Sequence, residues 1–147
     1  MSVRDLRALL LGVRSVALEA DGSTDGPEWE RTGKGSVAAK EIDATTIEWE
    51  ESGSWSEGAA TVPYRNRLRW GIDGDELHLA HCRRGSEAPV HLISLVTNAD
   101  GALIPRTPHL CGADLYALTV TKSGDGIALQ WRVDGPRKSY TLTATYR

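Results

Sequence analysis

The chain has 147 residues, 40% of them apolar and 25% charged, and carries a formal net charge of −3. Those figures predict one soluble domain spanning 1–147, with no window near the roughly 18 uninterrupted apolar residues of a membrane helix. Acids and bases interleave without a basic stripe or polybasic patch, so neither nucleic acid nor a membrane surface is an expected partner.

The first segment, SVRDLRALLLG, places Ser2 three residues before Asp5 and spaces Leu6, Leu9, Leu10 and Val13 at helical intervals. It predicts a short amphipathic helix that ends at Gly12. The apolar LRALLLGV follows Arg4 and Asp5 without a small-residue cleavage site, which argues against a secretory signal and for the cytoplasm. Cys82 and Cys111 form neither a disulfide framework nor a CxxC pair, in keeping with reduced thiols.

Beyond the helix the period becomes two. RSVALEADG reads as a strand, and DGSTDGPEWERTGKG as a long, mobile, glycine-rich loop with Trp29 its one large apolar group. GSVAAKEI and TTIEWEES then join through Asp43-Ala44, YRNRLRWGI and DELHLAHCR through Asp73-Gly74, and ADLYALTVTK and GIALQWRV through SGDG, each pair a hairpin. PVHLISLVT is a further strand. In the strand from Tyr64, the residues Tyr64, Asn66, Leu68, Trp70 and Ile72 face one way and Arg65, Arg67 and Arg69 the other. The last strand opposes Tyr140, Leu142, Ala144 and Tyr146 to three threonines in the same manner.

Such a series, with one helix and no βαβ spacing, predicts an all-β fold. An up-and-down antiparallel β-barrel of eight to ten strands protects the sheet edges most simply and has room for a small ligand. A two-sheet sandwich is the structural competitor.

Four motifs carry a resemblance: EWEESG (Glu48 to Gly53), RLRW (Arg67 to Trp70), the spacing H-x-C-x-x-D-x-Y of His109, Cys111, Asp114 and Tyr116, and the ending WRVDGPRKSY (Trp131 to Tyr140). Together they resemble a lipocalin-like, calycin-type family of small bacterial proteins of unknown function. The resemblance implies a calycin-like barrel and a small-molecule binder, and no activity. The sequence departs from that family's opening Gly-x-Trp, since Gly12-Val13-Arg14 stands in its place.

The chemically dense stretch is PHLCGADLY, Pro108 to Tyr116. A thiolate, an imidazole and a carboxylate bind zinc, and a His-Asp pair serves as base to a thiol. Against this, His78, His81 and His91 lie on other strands without ligand spacing, and no oxyanion hole is visible. No metal ligands are therefore assigned, and any cofactor is unknown. A structural role as a corner entering a strand accounts for His109, Cys111 and Asp114 most simply, and ligand contact by His109 or Tyr116 is the alternative. The GPRK segment reads as a turn with solvated cations, although Lys138 can pair with Asp114 or an acidic ligand. Arg69 is the arginine expected to reach an acidic ligand group.

These readings converge on a barrel that binds a small, partly apolar molecule through His109, Tyr116, Arg69, Lys138, Trp70 and Trp131. The alternatives are an enzyme that uses the same pocket through His109, Asp114 and Tyr116, and a structural or interaction barrel with a filled core. Oligomeric state is open, a homo-oligomer included.

Overall fold

The computed structural model describes residues 2–82 and 89–147. Helix α1 (Val3–Gly12) is followed by β1 (Ser15–Thr24), β2 (Glu28–Asp43), β3 (Thr46–Glu57), β4 (Ala60–Asp73), β5 (Glu76–His81) and β6 (Val90–Thr97). Two three-residue strands come next, β7 (Leu103–Pro105) and β8 (His109–Cys111), and then β9 (Asp114–Ser123), β10 (Gly126–Asp134) and β11 (Lys138–Tyr146).

Each strand pairs antiparallel with its successor up to β7, which meets β9 at Leu103 and Val120; β9, β10 and β11 then lead back to β1. The result is a closed ten-strand barrel, with β8 hydrogen-bonded to the far half of β9 as an eleventh short strand. This is the expected up-and-down antiparallel barrel with a short N-terminal helix. No helix is long and apolar enough to cross a membrane among the described residues.

One end of the barrel is sealed. Ser2 caps α1 by accepting the Asp5 amide, and Val3, Leu6, Leu10 and Val13 lie on the helix's buried side. The Leu10 carbonyl, left over at the helix end, accepts the buried Trp49 indole N–H at 2.8 Å. Arg7 pins the helix laterally through Glu41 at 2.9 Å and the Ala44 carbonyl at 3.2 Å. Beneath it Trp49 packs edge-on against Trp70 at 5.3 Å, and Ile47, Leu77, Leu79, Leu95, Leu118 and Ile127 complete a solid plug.

The segment read as a mobile loop is instead the β1–β2 hairpin, paired from Ser15 with Ser36 to Ser23 with Glu28 and turning at Asp25 and Gly26, both with positive φ. Gly22, Gly33 and Gly35 serve close approach between strands. A side chain at Gly22 would collide with Tyr140, and one at Gly35 would stand 2.7 Å from the Tyr64 hydroxyl. The predicted hairpins at Asp43-Ala44, Asp73-Gly74 and Ser123–Gly126 are all present. Arg83, read as the end of the fifth strand, lies outside the described residues.

Candidate functional site

The barrel is plugged only over its helix-covered half. Towards the opposite end, where the β1–β2, β3–β4, β8–β9 and β10–β11 turns lie, it holds an open cavity of about 420 Å³. The alternation of β11 aims Tyr140, Leu142, Ala144 and Tyr146 into it, and that of β10 aims Leu129, Trp131 and Val133. From β4 come Tyr64, Asn66 and Leu68. Among the described residues no ladder joins β6 to β8, and Leu92, His109 and Cys111 line that side of the mouth.

Deep in this cavity stands a carboxyl group. Glu51 is 2% exposed, accepts the Tyr64 hydroxyl at 2.6 Å on one oxygen and accepts the Tyr146 hydroxyl at 3.0 Å on the other. Burial pushes its carboxyl above the ordinary glutamate value, while the two hydroxyls pull it back down. Both phenols are held well above the ordinary tyrosine value, first by burial and then by the carboxylate they face, and remain donors. Beside this group His81 meets Asn66 at 2.7 Å, both lining the cavity.

The signal for Glu51 was present in the sequence. Ile47, Trp49 and Glu51 share one face of β3, so the same alternation that buries the first two carries an acid inward. Glu48, three residues earlier, falls on the outer face and is met by Arg69 at 3.0 Å and Arg67 at 3.8 Å.

The expected site residues divide into two groups. His109, Tyr116 and Trp131 line the cavity. Arg69, Lys138 and Trp70 are not in its lining: the two-residue period of β4 turns Arg69 outward to Glu48, and Trp70 belongs to the sealed plug. Lys138 sits at the rim, where it donates to the Tyr116 hydroxyl at 3.2 Å and pairs with Asp114 at 3.5 Å. The phenol oxygen beside it, and then Asp114, raise the lysine above its ordinary value.

PHLCGADLY is a tight hairpin in which His109 pairs with Tyr116 and Cys111 with Asp114 across a turn at Gly112, whose φ is +62°. His109 packs edge-on against Tyr116 at 6.0 Å, Asp114 faces Lys138, and Cys111 is exposed. Among the described residues no hydrogen bond links His109 to Cys111 or Asp114, and no group of three or more His, Cys, Asp or Glu side chains is arranged to hold a metal. His78 and His81 point to opposite sides of the wall. His78 lies on the outer face with Ser94 at 2.8 Å and Glu76 at 3.6 Å.

The fold is similar to that of the S-type phycobiliprotein lyase CPES from Guillardia theta, with a TM-score of 0.65 over 99% of this chain and 92% of that one, at 10% identity. A de novo designed fluorescence-activating β-barrel aligns with 95% of this chain and 97% of its own at 15% identity, with a TM-score of 0.45. No curated protein matches the chain. A family of unknown function, DUF6314, matches residues 10–147, and the chain belongs to that family.

Proposed function

We propose that this protein binds a small, partly apolar molecule in the open half of its barrel, in the cytoplasm. The observation that carries this reading is the cavity of about 420 Å³, a size suited to one small organic ligand, with a mainly apolar wall and a few converging polar groups. Trp131, Leu129 and Leu142 offer the ligand's body a hydrophobic surface, and His109 and Tyr116 offer hydrogen bonds at the mouth. A barrel wall filled by its own side chains would have left no such space.

The same arrangement gives catalysis less support. His109 is engaged with an aromatic ring and Asp114 with a lysine, so the base and its orienting carboxylate are not paired. The likeness to a lyase at 10% identity bears on the fold alone.

Native mass spectrometry with the neutral probe N-phenylnaphthylamine tests the reading. A one-to-one complex that dissociates on unfolding is expected. A bare protein mass at saturating probe would refute it.

A further inference from the structure

We propose that Glu51 anchors the ligand, and that the ligand presents to it a protonated amine or an equivalent cationic N–H group. This rests on the cavity being a binding site and names the chemistry that site selects.

A carboxylate has about four acceptor positions, of which the hydroxyls of Tyr64 and Tyr146 occupy one on each oxygen of Glu51. Among the described residues no lysine, arginine or histidine forms an ion pair with it. Glu48, on the other face of the same strand, is met by two guanidinium groups. The strand therefore pairs its outward acid and leaves its inward one supported by neutral donors. A buried carboxylate without a cation is costly, and the cost is relieved when a positive group arrives with its own donors.

Among the described residues, the elements packed around Glu51 aim no lysine or arginine at its carboxyl group. β4 presents Tyr64 and Asn66, β11 presents Tyr146, β5 presents His81 held by Asn66, and β2 presents Gly35, whose missing side chain makes room for the Tyr64 hydroxyl. Among the described residues, the one formally positive residue of the lining is Arg65, exposed and alternating with the inward-facing Tyr64 and Asn66. His109, Tyr116 and Tyr140 face the cavity nearer the mouth. A ligand lying lengthwise would place its cationic end at Glu51, with its apolar body along Trp131 and Leu142.

The raised carboxyl of Glu51 agrees with this placement. A cation favours the ionised form, so binding expels a proton from whatever fraction of Glu51 is protonated, and the cationic preference weakens as pH falls.

Three probes with one shared body test the inference: anthracenylmethylamine, anthracenylmethanol and anthracene carboxylic acid, titrated by fluorescence. The amine is expected to bind the wild-type protein roughly ten- to a hundredfold tighter than the alcohol, the range of one charged hydrogen bond, with the acid weakest. In Glu51→Gln the ratio of amine to alcohol affinity should fall to about one. In the wild-type protein the same ratio should shrink on acidification, a readout independent of how the variant folds. Equal affinities for amine and alcohol, or tightest binding of the acid, would overturn the cationic anchor while leaving cavity binding intact. Binding of none of the three would overturn the binding reading and the anchor with it.

Discussion

Replacing Tyr64 by Phe removes one hydroxyl and leaves the ring. The lost interaction is a 2.6 Å hydrogen bond to a carboxyl that is 2% exposed, where water cannot substitute freely. A hydrogen bond to a charged group contributes about 1.5–3 kcal/mol, which in a domain of this size lowers the melting temperature by about 3–12 °C. The loss depends on pH in a definite direction. The hydroxyl lowers the folded-state pKa of Glu51 against the upward pull of burial, so its contribution is full where the carboxyl is ionised and is lost as pH falls through that value. Thermal melts of wild type and Tyr64→Phe across weakly acidic to weakly alkaline pH should therefore diverge as pH rises. A side chain at Gly35 would press on the same hydroxyl at 2.7 Å, so Gly35→Ala should cost less in the Phe background than in the wild type. A pH-independent difference, or strict additivity of the two substitutions, would refute the reasoning.

Trp49→Phe should cost about 1–3 kcal/mol of stability, read as a lower urea midpoint, because it orphans the buried Leu10 carbonyl, and amide exchange in Val3–Gly12 should accelerate. Lys138→Ala should change stability by less than about 1 kcal/mol, since its pair with Asp114 is partly exposed at the rim; a thermal melt checks this. Under native conditions a thiol reagent should label Cys111 quickly and Cys82 only after unfolding. Cys82 is buried, and that burial raises its thiol above the ordinary value; equal labelling rates would contradict the assignment.

The architecture was legible wherever alternation and turn chemistry agreed. Leu68 and Trp70 against Arg67 and Arg69 fixed the inward face of β4, and Asp73-Gly74 fixed the turn that follows. The outer part of the β1–β2 hairpin was not legible, because glycines at 22, 33 and 35 resemble loop composition, and the strands that require them to pass closely are distant in sequence. β7 and β8 are each three residues long, too short for periodicity to register.

The site divides along similar lines. Trp131, His109 and Tyr116 could be placed from strand position and motif spacing, and the pairing of Lys138 with Asp114 was foreseeable from their charges. Glu51 escaped because Glu48, Glu50 and Glu51 together look like a solvated acidic run; only the phase set by Ile47 and Trp49 separates it from its neighbours. Arg69 lies in the RLRW motif, yet the period of its own strand carries it to the opposite face from Leu68.

Ligand binding in the open half of the barrel requires that space to stay empty of side chains. Leu142 lines that space and is only partly buried, so Leu142→Trp should fill it without disturbing the plug beneath α1. The deciding measurement is a fluorescence titration of N-phenylnaphthylamine into wild-type and Leu142→Trp proteins of matched stability. Saturable one-to-one binding to the wild type and its loss in the variant are expected. Undiminished binding to the variant, or none to the wild type, would contradict it.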